Sequence, residues 1–388
     1  MADRIITTAT DIAGDHIEKT TPVNAVSVGG CFKTSKLDNV SPSLHYPPAM
    51  YQAQSGKGWA EGLLIAGVVV QYVGTRIGLA AVGRDNGSAP GRRAVAQWLP
   101  IMATALAAVA MGRPGVAVVL VFGSSVASLS LVLGMTAYVA PLQQLPAGRK
   151  LWLLVLPAAM LALLAGFRGA LTWYHALMLL TMGAAFLPLW LERTPPEGQV
   201  TPLPVADRRP ARTVQWGLAA AAVAPVAAGA FASAMGAIWT GEQSRLLTPE
   251  LLAATVLSPL LLLPALGSAT VLAQQGQTGQ VITSLCGTAL LNLCLLLPAI
   301  ILANYLIGGL THLEGHSLLA AFRESARPTP YSLVTWRVDA VVLVLISFAL
   351  VPVAVGRWMP ERLEAMLLVL LYAAYLVAET AVSARLLG

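Results

Sequence analysis

The chain has 388 residues, 56% of them hydrophobic and only 11% charged, with a mean hydropathy of +0.71. An ordinary soluble domain carries roughly 25% charged residues, so a water-soluble globule is excluded and an all-α polytopic membrane protein is expected. The net charge of +6 is no nucleic-acid signal, because Lys and Arg fall mostly in short loops between apolar runs, where they set orientation.

Residues 1–58 form a polar extramembrane N-terminal tail, with Asp3, Asp11, Asp15, Lys19, Lys33 and Lys36 among Thr, Ser, Pro and Gly. It lacks the basic segment and apolar stretch of a cleaved signal. Ten apolar runs follow, at 59–80, 94–112, 115–141, 150–167, 169–191, 213–239, 248–274, 281–306, 335–356 and 361–383. About 20 residues cross a bilayer, so each predicts one membrane helix. Helices 1–5 make a first membrane half over 59–192 and helices 6–10 a second over 213–388. The Pro-rich, basic stretch 193–212, RTPPEGQVTPLPVADRRPAR, is the cytoplasmic linker between them.

Loops after odd-numbered helices carry Arg84, Arg92, Arg93, Arg149, Lys150, Arg193, Arg208, Arg209, Arg212, Arg357 and Arg362. The other side, apart from the tail, has Lys57, Arg113, Arg168, Arg245, Arg323, Arg327, Arg337 and Arg385. The richer side is predicted to be cytoplasmic, with both termini outside a plasma (bacterial inner) membrane. Of three cysteines, Cys31 lies in the tail, and Cys286 and Cys294 lie eight residues apart along one helix, too far to bridge.

The eighth run contains SLCGTALLN (284–292), polar residues in the middle of a membrane span. An unpaired polar group in hydrocarbon costs on the order of 2–7 kcal/mol, so Ser284, Thr288 and Asn292 must meet partners. An internal copy supplies part of the reason. With Pro100 set on Pro264, Gly112 falls on Gly276, Gly115 on Gly279, Gly123 on Gly287, Ser124 on Thr288 and Ser128 on Asn292, without a gap at an offset of 164. The copies begin at helices 2 and 7, an odd shift of five, so the second inserts upside down. This predicts two inverted five-helix repeats, an architecture common among secondary transporters.

These two hairpins resemble the paired repeats of the cation/calcium exchanger superfamily, the sodium/calcium exchanger membrane region. There a Thr-Ser-Leu-Pro-Glu stretch leads into Gly-Ser-Asn-x-x-Asn on the next helix. Leu99-Pro100 and Leu263-Pro264 match the first element, and GSSVAS (123–128) and GTALLN (287–292) the second. The resemblance implies an acid after each Pro as the central cation ligand, yet Ile101 and Ala265 stand there; of the asparagines only Asn292 remains, with Ser125, Ser128 and Ala289 at the other positions.

Residues 94–141 and 251–306 contain no Asp or Glu. Calcium takes six to eight oxygen ligands, usually with carboxylates, so calcium exchange is not expected. What remains is neutral. Ser124 and Ser128 share a helical face, as do Thr288 and Asn292, and Thr104 and Ser268 stand four residues after each Pro. With Ser125 they make the expected substrate path near the midplane. Pro100 and Pro264 are expected helix breaks that free a carbonyl each.

Four carboxylates near helix ends are weighed separately. Glu61 and Glu364 suit the first turns of their helices, and Asp339, two residues after Arg337, reads as an exposed interfacial pair or cap. Glu379 follows MLLVLLYAAYLVA (366–378) and is the candidate proton-coupling carboxylate, against a plain interfacial role. THLEGH (311–316) has His312, Glu314 and His316 but no fourth ligand nearby, so no metal site is expected. Trp98, Trp152, Trp190, Trp336 and Trp358 read as belt residues at helix ends. No nucleophile has an evident base and no phosphate loop appears, so neither an enzyme nor a cofactor is expected. The expected partners are the lipid bilayer and a monovalent cation or proton. The expected function is a secondary transporter of a cation or small solute by alternating access. The alternative is a transport-inactive scaffold or subunit of a larger membrane complex, held to a protein partner through the N-terminal tail.

Overall fold

The computed structural model describes residues 57–82, 90–140, 149–167, 169–191, 212–244, 247–310, 329–330, 332–354 and 361–387. Residues 1–56 of the tail, residues 193–211 of the linker and THLEGH lie outside them. Among the described residues the apolar runs are helices. They are α1 (Lys57–Val82), α2 (Pro90–Ala110), α3 (Pro114–Val139), α4 (Arg149–Ala165), α5 (Trp173–Leu191), α6 (Arg212–Gln243), α7 (Pro249–Gln274), α8 (278–310), α9 (Leu333–Ala349, continued by Val351–Ala354) and α10 (Arg362–Leu387). Eight are long and apolar enough to cross a membrane, and α4 and α5 are shorter apolar helices. The ten expected runs fall on these ten helices within a few residues.

The internal copy is visible in the backbone. α2 ends at Ala110 and α7 at Gln274, and the next straight segments run Pro114–Ala127 and Thr278–Leu291, all 164 apart. Each is followed by one π-helical turn, Ser128–Val132 and Asn292–Leu296, again at the same offset. The connecting turns also repeat. Gly112 (φ +73°) donates to the Val109 carbonyl and Arg113 to Ala108; Gly276 (φ +72°) donates to Ala273 and Gln277 to Leu272. This is the Schellman ending, in which the residue after the helix enters the left-handed region that glycine reaches without strain.

α3 and α8 are the centre, with 94% and 83% of their spanning windows buried. They run antiparallel, since Asn292 meets Ser124 while Ser128 meets Leu285. α1 and α6 pack along each other through small residues, and a Cβ on Gly229 would lie 2.6 Å from the Gly67 carbonyl oxygen. Without a hydrophobic drive between helices in lipid, such close backbone approach supplies the contact. α9 packs on α3, α4 and α10, and α10 on the second half of α3. Outward faces keep large apolar side chains such as Ile65, Phe231, Phe348 and Val377 exposed, as lipid requires. A short antiparallel pair, β1 (Ala170–Leu171) with β2 (Thr329–Pro330), ties the chain before α5 to the chain before α9.

Three expectations are corrected. α2 runs unbroken through Pro100, whereas α7 is interrupted as expected, by a π turn at Ala253–Leu257 and a restart at Leu263 just before Pro264. A single proline removes one ladder bond, and flanking bonds hold α2 together; α7 has a second proline, Pro259, five residues earlier. Asp339 is fully buried and not interfacial. Residues two apart on a helix point about 200° apart, so the exposed Arg337 said nothing of Asp339. Trp336 is buried and not a belt residue, because Gly166 leaves room for its indole.

Candidate functional site

Three buried amide side chains organise the polar interior, and one hydrogen-bond logic fixes all three. Asn292, 0% exposed, opens the π turn of α8 and donates from Nδ2 to Ser124 Oγ (2.9 Å) and Ser125 Oγ (3.2 Å) of α3. Both serine protons are already committed to the Val121 carbonyl, at 3.1 and 2.7 Å. A hydroxyl has one proton, so these serines can only accept from the amide. The NH2 end therefore faces the serines, and Asn292 Oδ1 is left buried without a donor.

The pattern recurs at Gln71 of α1. Its Nε2 donates to Thr104 Oγ1 (2.8 Å) and Ser233 Oγ (3.3 Å), whose own protons go to the Pro100 and Ala230 carbonyls. At Gln97 of α2, Nε2 donates to Ser268 Oγ of α7 at 2.8 Å, and Ser268 donates to Ala265 O. Gln71 Oε1 and Gln97 Oε1 are likewise buried and without a donor. Leaving a buried acceptor unmade costs about 1–3 kcal/mol, and native interiors hold only a few such groups. The same arrangement thus leaves one carbonyl-type oxygen without a donor at each of three separate contacts.

Gln71 and Thr75 border a narrow gap that also touches Pro100 and Pro264, so both family-type prolines meet α1 there. The Gln71 amide also binds α1 to α2 and α6 at once. At one end of α2, Arg93 Nη1 donates to Gln280 Oε1 of α8 at 2.9 Å. Among the described residues, no cluster of three metal-ligating His, Cys, Asp or Glu exists.

The expected path residues are only partly gathered. Ser124, Ser125 and Asn292 form one station and Thr104 another with Gln71. Ser268 joins Gln97 instead of Thr104. Ser128 bridges to the Leu285 carbonyl at 3.3 Å, and Thr288 bonds back to Ser284 O at 2.9 Å within its own helix. Such back-bonding lets a hydroxyl sit in an apolar helix at low cost. Gln71, Ser233 and the pairing role of Gln97 were not anticipated. The signal was available for Gln71, an amide midway along GLLIAGVVVQYVGTR, by the argument that marks Asn292. The free cysteines Cys286 and Cys294 are both buried and unbridged.

Comparison with known proteins adds the following. Residues 215–381 match the family model described as sodium/calcium exchanger protein. No curated protein matches the chain. The solved sodium-calcium exchanger NCX_Mj soaked with 100 mM Na+ and 10 mM Sr2+ aligns with TM-score 0.57 at 19% identity, over 83% of this chain and 99% of that one. NCX_Mj soaked with 2.5 mM Na+ and 0.1 mM Ca2+ gives 0.54 at 20% identity, over 82% and 97%. At these identities the likeness establishes the fold.

Proposed function

We propose that this diverged member of the sodium/calcium exchanger superfamily moves a monovalent cation across the membrane by alternating access. The supporting observation is that the crossing of α2, α3, α7 and α8 holds buried amide and hydroxyl oxygens and no buried carboxylate. A dehydrated divalent ion there would keep its charge uncompensated in a low dielectric, which is prohibitive. A monovalent ion loses less hydration, and neutral carbonyl oxygens suffice to replace its shell. Asn292 Oδ1, Gln71 Oε1 and Gln97 Oε1 are the oxygens free to do so. Ser124, Ser125 and Thr104 orient the first two amides, and Ser268 the third. Ser128 and Thr288 line the same antiparallel crossing, and Pro264 supplies the break beside it. In this reading both termini lie outside a plasma membrane, because Lys and Arg are denser on the side reached by the odd-numbered loops.

The test is flux into sealed proteoliposomes under imposed sodium, potassium and calcium gradients. The parent should move sodium or potassium and not calcium. Asn292→Ala should lower that flux roughly tenfold or more, since loss of a charge-contacting group costs about 1.5–3 kcal/mol. A parent that moves no monovalent ion would sink the proposal and leave the scaffold reading in its place.

A further inference from the structure

A second polar centre lies between α9 and α10. Asp339 is 0% and Glu379 1% exposed, and they are the only carboxylates among the buried described residues, which include no Lys, Arg or His. The Asp339 carboxyl lies beside that of Glu379. Tyr375 Oη donates to Asp339 Oδ1 at 2.7 Å, and the Tyr372 ring centroid lies 6.0 Å from that of Tyr375. Tyr372 Oη and Glu379 Oε1 are both buried without a hydrogen-bond partner.

Ionised carboxylates only accept, so two carboxyls side by side with no buried cation are reconciled by a proton on one of them. Tyr375 directs its own proton at Asp339 Oδ1, so the proton that reconciles the pair is held by the acids. Two bare carboxylates in contact inside hydrocarbon would be prohibitive. Other titratable groups on the elements packed here are Tyr138 on α3, Glu250 on α7, Arg337 on α9, and Arg362 and Glu364 on α10; none is buried. The side chains of Arg149 and Lys150 on α4 and Arg385 on α10 lie outside the described residues.

The two helices that carry the pair both rest on α3 of the central crossing. α10 packs on α3 beyond the π turn that starts at Ser128, close enough that a Cβ on Gly134 would lie 2.8 Å from the Ala365 carbonyl oxygen. α9 packs on the segment of α3 that carries Ser124 and Ser125. For the proton to pass from Glu379 to a water, water must enter between α9 and α10 and solvate the carboxylate left behind. That entry parts two helices which rest on α3.

We propose that Asp339 and Glu379, with Tyr375 and Tyr372, form a proton-binding site between α9 and α10 that couples proton uptake and release to cation movement through the central crossing. The coupling half rests on the transport proposed above; the binding half does not. Infrared difference spectra of the purified full-length protein across a pH titration test the binding half. A protonated-carboxyl band should disappear as pH rises, be missing in Glu379→Gln, remain in Asn292→Ala, and shift in Tyr375→Phe, which keeps both acids if Glu379→Gln proves poorly folded. Sodium uptake driven by an imposed pH difference tests the coupling half, and Glu379→Gln should lose the pH-dependent part, a factor of roughly 5–150. A band unchanged in Glu379→Gln and unmoved in Tyr375→Phe overturns the site. A band that behaves as expected, with pH-driven uptake in Glu379→Gln equal to the parent's, overturns the coupling while cation transport stands. If the parent moves no ion, the transport reading and the coupling fall together, and the infrared titration alone decides proton binding.

Discussion

At the residue scale the governing fact is that a hydroxyl has one proton and two places to use it. In membrane helices Ser and Thr spend it on a backbone carbonyl, which turns them into acceptors and orients any amide beside them. Asn292 was legible from sequence because an amide amid apolar residues must find partners, and the repeat pointed to the Ser124 region. That each amide oxygen is left bare was not legible, since it depends on where every hydroxyl proton goes. Asp339 was misjudged for a related reason, because neighbours in sequence are not neighbours on a helix face. Glycine spacing gives a direct test at this scale. A Cβ on Gly123 would lie 2.7 Å from Ser258 Oγ and 3.1 Å from Ala254 Cα, where α3 crosses the π turn of α7. The Ala254 backbone cannot yield as a flexible side chain can. Gly123→Ala should therefore destabilise by about 1–3 kcal/mol. Ser258→Ala in the same chain should recover only part of it, read as melting temperatures of the single and double variants in detergent. Full recovery would mean that the clash is with the hydroxyl alone.

At the element scale the two hairpins share turns, helix ends and π turns to the residue, and differ at the prolines. The sequence repeat rests on Pro, Gly and small polar positions, which are the residues that dictate turns and close helix approach, so the backbone repeat was foreseeable. The π turns were not, because an extra residue in a turn has no composition of its own. They occur where Ser128 and Asn292 reach across the crossing, which fits the frequent placing of such bulges at functional sites. The asymmetry predicts different responses to removing each proline. Pro264→Ala restores an N–H that can reach the Leu260 carbonyl and mend α7 past its turn at Leu262. In the first turn of the restarted segment a proline is tolerated, so this variant should melt near the parent and carry cation more slowly. Pro100→Ala, in the unbroken α2 where an interior proline costs about 3 kcal/mol, should melt higher and leave flux near the parent's. Equal flux in both variants would show that the break in α7 has no part in transport.

At the scale of the whole molecule, membrane insertion, helix count and the central placing of α3 and α8 follow from hydropathy and from which helices carry small and polar residues. Ion preference is also a whole-molecule property, since it depends on the net charge held in the buried crossing. Ile101 and Ala265, 0% and 2% exposed, occupy the places where the resemblance implies acids. With those places apolar, a divalent ion finds no buried countercharge along α2, α3, α7 and α8, while a monovalent ion finds neutral amide oxygens without a donor at Asn292, Gln97 and, on α1, Gln71. A ligand that binds only the folded state stabilises by RT ln(1 + [L]/Kd), about 1.4 kcal/mol at ten times Kd. Sodium or potassium in the range that drives flux should therefore raise the melting temperature of the parent, and calcium at matched ionic strength should not. Adding the charge back should reverse the order. Ile101→Glu with Ala265→Glu buries two carboxylates without partners, so the double variant should melt below the parent in divalent-free buffer and regain stability when calcium is added. If calcium stabilises the parent as well as it stabilises that variant, neutral oxygens are enough to hold a divalent ion here and the assignment of a monovalent substrate is wrong.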